Sequence, residues 1–148
     1  MAGDPRRARC IPGVPGLGLT PSGDDFVGGL LYSFRRLRDI DASQGRLKRR
    51  DLNLFLSRSR RRTNQISYTL LRDHAGGHAS AALHQFVDAL LFGGPRHRMG
   101  ALALQLTAVG HSTGWDLLTG VVVGMMSTCR LHAPSVPGEA PAARLLQP

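Results

Sequence analysis

The sequence is poor in cysteine and in aromatic side chains, and it has no long apolar run. Its two cysteines, Cys10 and Cys129, are too few for a disulfide framework, and no secretory leader is visible, so we expect reduced thiols in a cytoplasmic protein. The longest apolar stretch, residues 117–126, is interrupted by one Thr and two Gly. It is shorter than the ~20 residues that a membrane span needs. We therefore expect a soluble protein with no membrane partner.

Lysine and glutamate are almost absent as well. All but one of the 19 basic residues are Arg and all but one of the 10 acids are Asp, which reflects genome-wide base composition as much as a site. The charge is local: residues 34–62 carry a net charge of +8 out of the +9 of the chain. Arginines in that stretch could contact nucleic-acid phosphates. However, Phe55 is the only aromatic among residues 46–62, so a solvated surface or a subunit contact is the preferred interpretation.

The 148 residues fit one domain, and none of its segments alternates apolar and polar residues with a period of two. Spacings of three and four predict an all-α, compact helical bundle at residues 16–132. A flexible arm is expected at 1–15 and a disordered, Pro-rich tail at 133–148. The predicted helices lie at 23–38, within 46–62, and at 63–75, 80–92, 98–109 and 115–130. The last is apolar nearly all round, which predicts a buried C-terminal helix.

Local signals add detail to these helices. Ser22 is the predicted N-cap of the first helix, since a hydroxyl before an apolar periodic segment is the common capping residue. In the third helix, Ile66, Leu70 and Leu71 are predicted to face inward, and Gly76-Gly77 to end the helix. In the fourth, one apolar stripe is predicted from Leu83, Phe86, Val87, Leu90 and Leu91.

One pattern occurs twice: a hydroxyl residue, Gly, any residue, Asp, three residues and Gly. It covers Ser22–Gly29 and Thr113–Gly120, and each copy follows a glycine-containing loop and opens a helix. Unpaired backbone N–H groups at two helix starts could converge on an anion, with Asp25 and Asp116 one turn in. Gly29 and Gly120 fit a close helix crossing or a ligand against the backbone. Ordinary N-caps with tight helix packing explain the same pattern, and both interpretations stay open.

Serine, histidine and arginine residues elsewhere in the chain suggest other kinds of site. Gly110–Gly114 fits the G-x-S-x-G elbow of α/β-hydrolases, but that chemistry needs a preceding strand, and the spacing there is helical. His74 and His78 are four apart, yet the two glycines between them break the helix that would align them as metal ligands, so no metal is expected. His111 is the one histidine expected near a site. Arg62-Thr63, at the start of a predicted helix, could join an anion site.

The glycine-rich blocks also carry a resemblance. Gly18–Phe26, then Arg62-Thr63 with Ser67 and Leu70-Leu71, then Gly110–Gly120 resemble, in this order, the AllH-type subunit family of oxamate carbamoyltransferase. The resemblance covers about residues 16–126. Family chains have a longer N-terminal portion, so the chain resembles a C-terminal portion or a truncated product.

The resemblance implies carbamoyl transfer in ureide (purine) catabolism, which interconverts oxalurate and phosphate with oxamate and carbamoyl phosphate. It implies a multi-subunit assembly that includes a partner resembling succinyl-CoA synthetase. We expect no cofactor. The alternatives are a non-catalytic interaction subunit or a truncated remnant.

From the chemistry of the residues, a small anionic substrate is expected at the two helix starts. Asp25 and Asp116 are the expected catalytic residues, orienting the carbamoyl amide or holding a cation. The expected substrate-binding residues are Gly18, Thr20, Ser22, Gly23, Asp24, Arg62, Thr63, His111, Ser112, Thr113 and Gly114.

Overall fold

A computed structural model describes residues 20–42 and 47–132 of the chain. These residues form helices and connecting turns, with no strand among them, so the predicted all-α class is confirmed. The predicted arm at 1–15, the predicted tail at 133–148, Gly18, Cys10 and the side chain of Cys129 lie outside what is described. The helices are α1 (Ser22–Ile40), α2 (Arg49–Ser59), α3 (Gln65–Gly76), α4 (Ala81–Phe92), α5 (Arg96–Thr107) and α6 (Thr113–His132).

Helix α1 lies between two apolar clusters. On one side, Tyr32 packs in a cluster formed with α4, α5 and α6, whose other buried members are Leu83, Phe86, Val87, Leu102, Leu106, Leu117 and Val121. On the other side, Val27 and Leu31 pack with Leu71 of α3 and with apolar residues of α2. Each fully buried Val, Leu or Phe contributes about 1.5–3 kcal/mol relative to an exposed one, so both clusters hold α1 in place.

Helices α1 and α6 cross closely and run in the same direction. A Cβ added at Gly29 would meet the carbonyl of Leu117, one at Gly120 would meet that of Phe26, and one at Gly124 would meet the Ser33 side chain. Phe26 meets Gly120 and, further along both helices, Ser33 meets Gly124, so these two contacts advance together and the two N-termini lie at the same end. Gly29 and Gly120 therefore occupy a close helix crossing, which is one of the two placements that the sequence left open.

Helix α3 runs parallel to α1 on its other side. Thr63, just before α3, contacts Asp24 at the start of α1, and the far end of α3 places Gly77 against Arg35. Gly77 ends α3 with a φ of 90°, which is the left-handed conformation that glycine adopts without a Cβ penalty. The predicted Gly76-Gly77 terminator is confirmed, and the N-termini of α1, α3 and α6 lie together.

Two predictions of local detail are wrong. Helix α1 begins at Ser22 itself, Pro21 is its N-cap residue, and no side chain provides the capping hydrogen bond. In α3, Leu71 is buried as predicted, but Ile66 is 53% exposed and Leu70 is 38% exposed. The groups that cover α3 lie only along the face containing Leu71, so apolar spacing identified a helix but not the width of its buried face.

Two predicted apolar helices are buried on one side only. In α4, the Leu83, Phe86 and Val87 part of the stripe is buried, whereas Leu90 is exposed. In α6, Leu117 and Val121 are buried against α1 and α5, while the opposite face exposes Trp115, Val122, Val123 and Met126. The C-terminal helix is therefore apolar on most sides without being enclosed on all of them.

Candidate functional site

The two copies of the repeated pattern meet side by side. Thr20 Oγ1 lies 3.3 Å from Thr113 Oγ1, and Ser22 Oγ lies 3.4 Å from Ser112 Oγ. Helix α6 begins at Thr113, so Ser112 occupies its N-cap position. Each contact thus joins the first hydroxyl residue of one copy, Ser22 or Thr113, to a hydroxyl residue just before the other copy.

The start of α3 adds a third element. The Thr63 hydroxyl donates a hydrogen bond to Asp24 Oδ2. Asn64, the N-cap of α3, accepts a hydrogen bond from the Ser67 N–H through its side chain. Three helix N-termini, each with a partial positive charge, therefore surround one cluster of hydroxyls and carboxylates.

The carboxylates in this cluster are removed from solvent. Asp24 is 2% exposed and Asp25 is 4% exposed. Thr20 donates a hydrogen bond of 2.6 Å to Asp25 Oδ2. Burial raises the pKa of Asp25, hydrogen bonds from Thr20 and Thr113 partly offset this, and the charges of Asp116 and Asp24 raise it further. Asp25 therefore holds a proton more readily than an ordinary aspartate does.

Asp116 completes the cluster from α6. Its Oδ2 atom is buried and accepts no hydrogen bond from the part of the chain that the structure describes. A buried carboxylate oxygen without a donor costs free energy, about 1–3 kcal/mol or more for a charged group. An N–H or O–H donor is the group that this atom lacks.

The backbone N–H groups at the two starts differ. Pro21 O accepts from the N–H groups of Asp24 and Asp25, so the N–H groups of Ser22 and Gly23 precede the first bonds of α1. At α6, the Gly114 N–H donates to the carbonyl of Val109 at 3.0 Å. Gly114 is buried against Leu106, where a Cβ would overlap. Its N–H therefore serves the fold, which differs from the anion-binding role expected for it.

Two of the expected substrate-binding residues differ from the others because they are exposed to solvent. Arg62 and His111 are exposed, and neither is among the groups that shift the pKa of Asp25. Arg62 precedes Thr63, so its guanidinium could reach a ligand only from the solvent side. The remaining expected residues of the described chain, Thr20, Ser22, Gly23, Asp24, Asp25, Thr63, Ser112, Thr113, Gly114 and Asp116, lie at or beside the three helix starts.

The chain that the structure describes contains no group of three or more His, Cys, Asp or Glu side chains placed to hold a metal ion. Nor does it contain a helix long and apolar enough to cross a membrane.

A buried histidine near α1 was missed by the sequence reasoning. His74 is 7% exposed, its Nδ1 has no partner among the described residues, and a Cβ at Gly28 would lie 2.6 Å from that atom. Burial lowers the pKa of His74 to about 4, and the charge of Asp73 offsets this only in part. A single histidine carries no periodic signal, so only the three-dimensional packing reveals it.

A second polar network also escaped notice, on the other flank of α1. The fully buried Tyr32 forms a hydrogen bond with His84 Nδ1, and His84 Nε2 lies 3.2 Å from Asp88. Asp88 in turn accepts a 2.7 Å hydrogen bond from Arg36. The spacing of His84 and Asp88, four apart on α4, was the available sequence signal.

The family model described as oxamate carbamoyltransferase subunit AllH matches residues 14–125, a span that contains all three helix starts of the cluster. The chain belongs to this family. The resemblance expected from the glycine-rich blocks is thereby confirmed. The family description names a subunit of a carbamoyltransferase and names oxamate as the compound concerned. No curated protein and no solved structure matches the chain.

Proposed function

We propose that the chain is a subunit of a carbamoyltransferase acting on oxalurate, phosphate, oxamate and carbamoyl phosphate in ureide catabolism, and that it binds its small anionic substrate at the three helix starts. The observation that carries the proposal is the meeting of Thr20 with Thr113 and of Ser22 with Ser112 beside Asp25 and Asp116. Family membership supports the reaction class.

The proposed step is a transfer of the carbamoyl carbon. In the direction from oxalurate, a phosphate oxygen bonds to that carbon, and the bond from the carbon to the oxamate nitrogen breaks. The proton released by hydrogen phosphate ends on the nitrogen of oxamate, so atoms and charge balance. This reaction needs a group that passes a proton and groups that orient an amide.

Asp25 suits the proton transfer, because burial raises its pKa toward the range in which a carboxyl both holds and releases a proton. Asp116 suits the orientation of the carbamoyl amide, because its buried Oδ2 lacks a donor and an amide N–H supplies one. The Ser22 and Gly23 N–H groups and the positive ends of α1, α3 and α6 would face the carboxylate or phosphate. Arg62 would close the site from the solvent side.

The negative charges of the cluster limit this arrangement. Asp24, Asp25 and Asp116 repel a fully charged anion, so binding is favoured when Asp25 carries a proton. We therefore expect substrate binding to weaken as pH rises through the pKa of Asp25. The bound ligand would place its charged end at the N–H groups and its amide at Asp116.

The decisive experiment is thermal unfolding of the purified chain with carbamoyl phosphate, oxamate or oxalurate, because a ligand of the native state raises its stability. Asp116→Ala, which removes the proposed acceptor of the amide N–H, should abolish that stabilisation, and Asp51→Ala, which changes an exposed acid of α2, should preserve it. In the full assembly, Asp25→Asn and Asp116→Asn should lower turnover at least tenfold, about 1.4 kcal/mol of barrier. Normal turnover of both variants would remove the proposed site.

A second candidate function is that of a non-catalytic subunit that only packs against its partners, including a succinyl-CoA-synthetase-like protein. The exposed apolar face of α6, with Trp115 at 60% exposure and Val122, Val123 and Met126, favours it. No stabilisation by any of the three ligands, together with loss of assembly in Val122→Asp, would support this candidate instead. Ligand stabilisation that is retained in Val122→Asp would support the catalytic one.

A further inference from the structure

A groove lined by arginines lies between α2 and α3, on a surface that the proposed reaction does not use. Two adjoining cavities of about 640 and 510 Å³ share Arg60, Tyr68 and Arg72 in their walls. Both volumes fall in the range of about 300–1,000 Å³ typical of small-molecule sites. The shared residues make the two cavities one continuous groove.

The walls of the groove are built by helical spacing. Asn53, Ser57 and Arg60 form one face of α2 and its end, and Gln65, Tyr68 and Arg72 form one face of α3. Positions separated by three, four and seven lie on the same side of a helix, so each helix presents a row of polar side chains to the groove. Leu56 of α2 adds an apolar side chain to the lining.

The groove is positively charged. Arg60, Arg61 and Arg72 line it, and none of the described residues lining it is acidic. Gln65 lies in the first turn of α3, where the positive end of the helix adds to the field. The pairing of Arg72 with Asp73, at 3.3 Å, involves side chains that are 60% and 41% exposed. Such exposed ion pairs contribute little to stability, so the Arg72 guanidinium remains available to bind an anion of higher charge.

An aromatic and two amides stand beside the arginines. Tyr68 is half-buried and lines both cavities together with Arg60 and Arg72, so the groove contains an aromatic ring as well as arginines. The amides of Asn53 and Gln65 supply both donors and acceptors at the edges. The planar guanidinium group of arginine can donate two parallel hydrogen bonds to phosphate oxygens, and an aromatic side chain can stack on a nucleobase. A site that has both kinds of side chain can therefore recognise a phosphate and a base together.

We propose that this groove binds a nucleotide, with its phosphates on Arg60, Arg61 and Arg72 and its base on Tyr68. The proposal is independent of the carbamoyl transfer assigned to the helix starts, because none of the groove residues belongs to that cluster. A row of arginines alone would suit any polyanion, but a lining that contains both arginines and an aromatic ring favours a ligand that has both a phosphate and a flat ring.

Calorimetric titration of the full chain tests the proposal with ADP, with pyrophosphate (the phosphates without a base) and with adenosine (the base without phosphates). ADP should bind more tightly than either part. Arg60→Gln and Arg72→Gln should each weaken ADP binding about tenfold, as expected for the loss of one charge-assisted hydrogen bond. Tyr68→Leu should weaken ADP binding and leave pyrophosphate binding unchanged.

Arg58→Gln is the matched control, since it removes the same charge from an exposed position of α2 that does not line the groove. It should leave ADP binding within twofold of the original chain. Equal binding of ADP and pyrophosphate, or equal losses in Arg58→Gln and Arg60→Gln, would overturn the proposal. Tighter binding of a single-stranded RNA than of ADP would overturn it in favour of a nucleic-acid surface. Far-UV circular dichroism of each variant checks that the fold is retained.

Discussion

Gly29 and Gly120 occupy equivalent places in the two copies of the repeated pattern, and each packs against a carbonyl of the other copy. Gly29 meets Leu117, and Gly120 meets Phe26, which are themselves equivalent residues. Ser33 and Gly124, related by the same spacing, meet each other further along. Helices α1 and α6 therefore form a local two-fold arrangement, and this symmetry brings Asp25 and Asp116 together at one end.

The first prediction concerns this crossing. Gly120→Ala places a methyl group against the Phe26 carbonyl, which is backbone and cannot turn away. We expect a loss of about 1–3 kcal/mol in unfolding free energy, the usual cost of overpacking. Denaturant unfolding followed by circular dichroism measures it.

Gly100→Ala is the matched control in α5, where a Cβ would meet nothing within 4 Å. That change should stabilise the chain by up to about 1 kcal/mol, because alanine is the better helix former. Equal effects of the two substitutions would contradict the close crossing.

The second prediction concerns the buried histidine. Since the pKa of His74 is lowered to about 4 from an ordinary value of 6.5, the unfolded chain binds this proton more tightly than the folded one. Above pH 6.5, His74 is neutral in both the folded and the unfolded chain and does not lower the unfolding free energy. As pH falls from 6.5 to about 4, the unfolded chain binds the proton first and the unfolding free energy decreases. The loss is on the order of 3 kcal/mol.

Urea unfolding of the chain at pH 7.5 and pH 4.5 tests this loss. His74→Leu should flatten the pH dependence of the unfolding free energy, whereas His78→Gln, at an exposed position, should leave it unchanged. A pH dependence that is the same in His74→Leu and in the original chain would show that His74 is not the titrating group.

These two cases show what the sequence can and cannot predict. The repeated pattern and the glycines of the crossing were visible because the spacing of Asp and Gly is a local property of the chain. The burial of His74 depends on Gly28 and Tyr32, which reach it only after folding. For the same reason, the sequence predicted α3 as a helix but placed the exposed Ile66 and Leu70 inward. Periodicity identifies a helix, whereas its neighbours decide how much of it is covered.

The third prediction concerns Asp25. Because burial raises its pKa, the charged carboxylate destabilises the folded chain, and this cost appears as pH rises through the raised pKa. Asp25→Asn removes the charge and keeps an oxygen that can accept from Thr20. We expect the variant to be more stable than the original chain at pH 7.5, by thermal unfolding, although it is impaired in turnover.

Below the ordinary pKa of aspartate, the stability difference between Asp25→Asn and the original chain should disappear, since both then carry a neutral group. Asp51→Asn provides the comparison at an exposed position. Destabilisation by Asp25→Asn at pH 7.5 would argue that the carboxylate serves the fold and not a ligand.

The fourth prediction concerns the network on the other flank of α1. Tyr32→Phe removes the hydroxyl that links the buried Tyr32 to His84, and we expect a loss of about 0.5–1.5 kcal/mol in unfolding free energy. His84→Ala should cost less in the Tyr32→Phe background than alone, and a double-mutant cycle measures this coupling. Tyr68→Phe, at a half-buried position of α3, is the matched control. Purely additive losses would mean that the two side chains act independently.

The parallel course of α1 and α6 has a consequence for folding kinetics. These are the first and last helices of the described chain, so their crossing closes a loop that contains every other helix. Contacts between residues so distant in sequence form slowly, because the loop entropy is lost before the contact stabilises anything. We therefore expect the hydroxyl and carboxylate cluster to assemble late. While α6 is still inside the ribosome, the glycine face of α1 in the nascent chain would be uncovered. The residues that α6 contributes to the cluster would also be absent.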